Sequence, residues 1–143
     1  MENCKVIAIC NQKGGVTKTS STVNLGVGLA LQGKRVLVCD ADPQGDLTTS
    51  LGWPDNDGLS VTLATLMEKV INDEPIDPQE GILHNAEGVD LIPANMELSG
   101  MEVALVGAMS REFTLRACLD AIKGAYDFVL IDCMPSLGIT RKR

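Results

Sequence analysis

The stretch Asn11-Gln12-Lys13-Gly14-Gly15-Val16-Thr17-Lys18-Thr19-Ser20 constrains the fold more than any other part of this 143-residue sequence. It follows the apolar run Val6-Ile7-Ala8-Ile9-Cys10 and precedes a helical pattern from Lys18 to Gln32, so a strand, a glycine-rich turn and a helix start succeed one another. That succession is the context a phosphate-binding loop requires. Gly14 and Gly15 lack a Cβ, which lets the backbone curl around an anion and present successive N–H groups to it. The helix start leaves its first N–H donors unpaired and carries partial positive charge, favouring a phosphate at the same spot. Lys18 adds a full charge, and the Thr19 hydroxyl is suited to a Mg²⁺ travelling with a nucleoside triphosphate. Gly14, Gly15, Val16, Thr17, Lys18, Thr19 and Ser20 are therefore the candidate cradle.

Later segments repeat the theme of an apolar run ending at a polar edge. Lys34-Arg35-Val36-Leu37-Val38-Cys39-Asp40 reads as a buried parallel strand and completes a strand–helix–strand unit with what precedes it. The acid-, proline- and glycine-rich Asp40-Ala41-Asp42-Pro43-Gln44-Gly45-Asp46-Leu47 then reads as a loop at the edge occupied by the phosphate loop, with two carboxylates near the phosphates and their metal. Gly26 and Gly28, inside the first helix, point to close packing against a neighbour. Val61 to Ile71 has helical spacing, and Asn72 to Gly88 has loop composition, with the lone histidine, His84, at its surface. Trp53 beside Pro54 reads as packing across a loop. Val89 to Asn95 is a third strand, and Met96 to Gly107 and Ser110 to Gly124 are helices, the second with Ser110 as N-cap and Gly124 as stop. Tyr126-Asp127-Phe128-Val129-Leu130-Ile131-Asp132 is a strand whose terminal carboxylate is placed to reach Mg²⁺ or one of its waters.

Composition narrows the class. Hydrophobic residues make up 45% and aromatics 3%, so one aliphatic core of ordinary size is expected. A net charge of −7 argues against a surface that coats nucleic acid, but not against contact binding of a triphosphate. With no long apolar run and no secretory leader pattern, a cytoplasmic protein with no membrane association is expected. The five cysteines, Cys4, Cys10, Cys39, Cys118 and Cys133, have no C-x-x-C spacing and read as small buried hydrophobes, and zinc binding is not expected.

Four landmarks in order carry a family resemblance: Lys-Gly-Gly-x-x-Lys-Thr over residues 13–19, Asp40-Ala41-Asp42-Pro43-Gln44-Gly45, Leu91-Ile92-Pro93-Ala94-Asn95, and Asp132-Cys133-Met134-Pro135-Ser136-Leu137-Gly138. The sequence resembles the N-terminal part of ParA/Soj partitioning ATPases, in the ParA/MinD group of P-loop ATPases with a deviant Walker A motif. Thr17 departs from the group's usual glycine and Met134 from a proline. The resemblance implies an α/β, doubly wound, mostly parallel sheet with helices on both faces, C-terminally truncated, with a ParA-like domain over 1–138 and a divergent basic tail over 139–143. It implies ATP and Mg²⁺ as cofactors and an ATP-dependent homodimer in which Lys13 reaches the partner's phosphates. Lys13, Lys18 and Asp42 would be catalytic, Asp42 orienting or deprotonating the attacking water. Thr19, Asp42 and Asp132 would surround the metal. A ParB-like centromere-binding partner would stimulate hydrolysis, and full-length relatives bind DNA without sequence preference through a C-terminal surface that has no counterpart here. In relatives the phosphate-loop strand lies inside the sheet, so an unpaired edge is expected. Alternatives are a non-hydrolysing regulator that pairs with full-length ParA and a MinD-like membrane-cycling ATPase, for which the expected amphipathic C-terminal helix is not seen. The nitrogenase iron protein branch would need cluster cysteines that this pattern does not match.

Overall fold

The computed structural model describes residues 4–10, 15–105 and 108–133. Its elements are β1 (Lys5–Cys10), α1 (Gly15–Leu31), β2 (Val36–Ala41), α2 (Asp46–Ser50), α3 (Leu63–Ile71), β3 (Leu83–His84), β4 (Asp90–Ile92), α4 (Glu97–Ala104), α5 (Ala108–Ile122) and β5 (Phe128–Cys133). The strands form one sheet in the order β1-β5-β2-β4-β3, parallel except for the pairing of β3 with β4. The last strand, β5, thus lies between the first two. The parallel run brings the C-terminal ends of β1, β5 and β2 to one edge of the sheet, the edge where ligands sit in such folds.

Alternating side chains divide the core into two layers. Val36, Val38, Leu130, Leu91 and Val89 face Leu47 and Leu51 of the α2 region, with Val23, Leu29 and Ala30 of α1 against them. Leu37, Cys39, Ala41, Val129, Ile131, Cys133 and Ile92 face Leu63, Leu66 and Met67 of α3, Leu98 of α4, and Leu115, Leu119 and Ile122 of α5. Helices therefore cover both faces, as the sequence implied. Burial at β5 is nearly complete for Val129, Leu130 and Ile131, and each such side chain contributes about 1.5–3 kcal/mol relative to exposure. At one margin β1 has β5 as its strand neighbour, and Val6 and Ile7 stand 45% and 37% exposed.

Several local expectations shift. α1 starts at Gly15, three residues ahead of the expected Lys18. A Cβ on Gly26 would come 3.3 Å from Val38 Cγ1, so this glycine does serve close approach of α1 to the sheet; a Cβ on Gly28 would meet nothing within 4 Å, and the packing reading fails there. Ser110 is inside α5 rather than at its cap, and its carbonyl accepts from the Thr114 hydroxyl at 2.8 Å. Gly124 falls in a 3₁₀ turn, Lys123–Ala125, that follows α5. Residues expected to be loop contribute the short elements α2 and β3. Trp53 packs against the α1-side core layer, as expected of a loop tryptophan.

Candidate functional site

Thr19 lies near the start of α1, and Asp132 is the fifth residue of β5. They are 113 residues apart in sequence, and the Thr19 hydroxyl donates to Asp132 Oδ2 at 3.1 Å. Both are buried, 5% and 1% exposed. This contact arises because β5 inserts beside β1, which carries its terminal carboxylate to the helix that β1 feeds. Across the other ladder of β5, Asp40 pairs in register with Asp132. Asp40 is fully buried. Burial is the main force raising its pKa, from 3.8 up to about 7, and the neighbouring Asp132 charge adds to it. Hydrogen bonds oppose the rise without cancelling it: Asp40 Oδ2 accepts from the Thr48 N–H at 2.9 Å and the Thr48 hydroxyl at 2.7 Å, and Oδ1 accepts from the Asp42 N–H at 3.3 Å.

Thr48 ties the site to β4 as well. Its hydroxyl oxygen accepts from the Ala94 N–H at 3.0 Å while donating to Asp40. One hydroxyl on α2 thereby joins the end of β2 to the chain just beyond β4. Asn95, next along, donates from Nδ2 to the Asn56 carbonyl at 2.9 Å. Between β2 and α2, Asp42 to Gly45 forms a tight turn: the Gly45 N–H donates to the Asp42 carbonyl at 2.9 Å, and Asp42 Oδ1 accepts from the Gln44 N–H at 3.0 Å. Gly45 has φ +69°, and a Cβ there would come 2.9 Å from the Ala94 carbonyl oxygen. Only glycine fits such a place without rearrangement.

The expected site residues fall into three groups. Thr19 and Asp132 are brought together, and Asp42 lies half-buried on the loop after β2 at the same sheet edge. Gly15, Val16, Thr17, Lys18 and Ser20 belong to the first turns of α1, Ser20 being exposed. Lys13, Gly14 and Met134 to Gly138 lie outside the described residues. Two contributors were not singled out from sequence. Asp40 was seen as one of two loop acids, but its buried register pairing with Asp132 depends on strand order. Thr48 stands in an unremarkable Leu-Thr-Thr-Ser run, and nothing local marks it.

The donor set fits magnesium. That ion takes one or two protein oxygens and completes its shell with water and phosphate oxygens, and here a hydroxyl meets a carboxylate with a second carboxylate alongside. Among the described residues no group of three or more His, Cys, Asp or Glu side chains could hold a metal by itself. His84 is exposed on β3, with Nδ1 2.7 Å from Asp90 Oδ1. One cysteine expectation is overturned: Cys133 is disulfide-bonded, whereas Cys4, Cys39 and Cys118 are free thiols. Among the described residues, no helix is long and apolar enough to cross a membrane.

Comparison with known proteins agrees with this geometry. The AAA domain family matches residues 4–143. The sporulation initiation inhibitor protein Soj of Bacillus subtilis is 45% identical over 139 residues, covering 94% of this chain and 51% of that protein. The chromosome partitioning protein ParA of Caulobacter vibrioides is 43% identical over 137 residues, covering 94% and 49%. The chain thus spans about half the length of these relatives. A crystal structure of cobyrinic acid a,c-diamide synthase from Mycobacterium smegmatis with bound ADP and magnesium superposes with a TM-score of 0.82 at 42% identity, covering 95% of this chain and 53% of that one. A Cyanothece McdA variant in complex with ATP gives a TM-score of 0.78 at 28% identity, covering 97% and 52%. With a phosphate-loop order of strand and helix, an acid-ended β5 beside it and relatives among the Soj and ParA proteins, the chain belongs to the AAA domain family.

Proposed function

We propose that this chain is the nucleotide-binding portion of a ParA/Soj-like partitioning ATPase, binding ATP with Mg²⁺ and taking part in its hydrolysis. The observation that carries the reading is the Thr19–Asp132 contact, which joins the start of the loop-fed helix to the acid at the end of β5. In this reading Thr19 and Asp132 hold the metal, directly or through water. The backbone from Gly14 to Ser20 cradles the phosphates, and Lys18 balances their charge. Asp42, on its tight turn, orients the attacking water, a task of positioning more than of covalent chemistry. Bound magnesium supplies neutralisation of charge on the phosphoryl group. Lys13 acts across a homodimer on the partner's phosphates. A ParB-like protein stimulates turnover, and longer relatives supply the DNA-binding surface. The resemblance and the shared landmarks support these assignments.

The test is a titration of ATP with Mg²⁺ against this chain and its Lys18→Ala variant. Losing a charge-assisted contact to phosphate should weaken binding about tenfold or more. Equal affinities would remove the phosphate-loop assignment. Phosphate release, measured with and without a ParB-like protein, separates an enzyme from a non-hydrolysing regulator that pairs with full-length ParA, which would release none in either condition.

A further inference from the structure

The turn that carries Asp42 is braced by groups outside it. A Cβ on Gly45 would come 2.6 Å from Asn56 Nδ2 and 2.9 Å from the Ala94 carbonyl oxygen, so the turn is pressed between the two. Ala94 and Asn95 are themselves fixed. They follow β4, whose register with β2 runs from Leu37 with Asp90 to Cys39 with Ile92, and the Leu63 N–H at the start of α3 donates to the Pro93 carbonyl at 2.8 Å. Asn95 Nδ2 holds the Asn56 carbonyl at 2.9 Å, and Asn56 Nδ2 reaches Thr49 Oγ1 at 3.4 Å. Residues 93–95 thus form a buried wall against which the Asp42 turn takes its place.

Thr48 joins that wall to Asp40. Its oxygen accepts from the Ala94 N–H at 3.0 Å, which directs the hydroxyl hydrogen to Asp40 Oδ2 at 2.7 Å. The Thr48 N–H donates to the same Oδ2 at 2.9 Å, leaving Oδ1 to accept from the Asp42 N–H at 3.3 Å. An aspartate carboxyl rotates over a broad, roughly two-fold torsion, so one backbone donor sets its direction poorly. We propose that Thr48 is a positioning residue for Asp42: its hydroxyl fixes the rotation of the Asp40 carboxyl against the Ala94 backbone, and Asp40 in turn fixes the turn from Asp42 to Gly45.

A threonine that only filled space would be replaced by valine, of the same shape, with a loss of stability spread over the whole chain. The positioning role is local. Without the hydroxyl, the Asp40 carboxyl turns and the Asp42 N–H loses its acceptor, while the sheet beneath keeps its ladders. What Asp42 then does, orienting the attacking water, rests on the proposed function above. On that function a displacement of about 1 Å costs on the order of a hundredfold in rate, and ATP affinity, which comes from the phosphate loop, stays.

The experiment compares the parent chain with Thr48→Val and Thr48→Ser by backbone amide relaxation and by phosphate release at saturating ATP and Mg²⁺. Order parameters in the folded state do not report global stability. In Thr48→Val those of Asp42, Gln44 and Gly45 should fall from about 0.85 to below about 0.6, while Val129, Leu130 and Ile131 keep theirs. Thr48→Ser, which retains the hydroxyl, should keep the turn ordered. Phosphate release should fall about tenfold or more in Thr48→Val with the KM for ATP within about twofold, and Thr48→Ser should recover it. The proposal is overturned if the turn stays ordered in Thr48→Val, if the serine variant loses order equally, or if a parent that hydrolyses ATP keeps its rate in Thr48→Val. A parent that neither binds nor hydrolyses ATP sinks the proposed function instead, and the relaxation comparison still decides the role of Thr48. If Thr48→Val does not fold, Thr48→Ala, which also lacks the hydroxyl, takes its place with the same expected outcomes.

Discussion

Asp40 offers the sharpest test of the site's electrostatics. It is a fully buried carboxyl beside Asp132, and its pKa is raised to about 7 chiefly by burial. A carboxyl whose folded-state pKa exceeds its unfolded value holds its proton more tightly when folded. Stability from this group is therefore present at low pH and lost as pH rises toward the folded pKa. Between about pH 5 and about pH 7 the folded chain keeps the proton that the unfolded chain has released, and above about pH 7 the loss is complete. At about 1.4 kcal/mol per pH step, the loss between about pH 5 and about pH 8 is roughly 3 kcal/mol. For a chain of this length that corresponds to a melting shift on the order of 10 °C. Asp40→Asn cannot ionise, yet its amide oxygen still accepts from Thr48. The variant should melt increasingly above the parent as pH rises across that window, with Mg²⁺ absent. Saturating Mg²⁺ and ATP should narrow the gap, since a cation favours the ionised pair. Thermal melts of both proteins at the two pH values provide the assay. A constant difference between them would refute the claim that burial beside Asp132 sets the protonation of Asp40.

Three further substitutions probe neighbouring atoms. Thr19→Val removes the hydroxyl that reaches Asp132, and should cut the Mg²⁺-dependent part of ATP affinity about tenfold while leaving Mg²⁺-free binding nearly unchanged, as a titration in each condition would read. Thr48→Val deletes a donor to Asp40 and an acceptor for the Ala94 N–H, and should cost about 1–3 kcal/mol in denaturant unfolding. Gly45→Ala places a Cβ against the Ala94 carbonyl oxygen at positive φ, and should destabilise by roughly 1–3 kcal/mol, visible as a lower denaturation midpoint with an unchanged slope.

What the sequence disclosed follows from what is local. Strands β1, β2 and β5 are nearly continuous apolar runs, and the acids near the ends of β2 and β5, Asp40 and Asp132, marked the ligand edge from sequence alone. Strand order is a property of the assembled sheet, so the placement of β5 between β1 and β2 was out of reach, and with it the pairing of Asp40 with Asp132 and of Cys10 with Cys133. The two-residue β3 and five-residue α2 are too short to show a period. Gly26 and Gly28 look alike in sequence, but only the first lies over Val38, since helix phase decides which one faces the sheet.

The exposed flank of β1 carries a consequence of its own. Among the described residues, the strand that leads toward α1 is held in the sheet by six paired positions to β5. Whatever loosens those six pairs loosens the lead-in to α1 with them, and one of the six includes Asp132, which the Thr19 hydroxyl contacts.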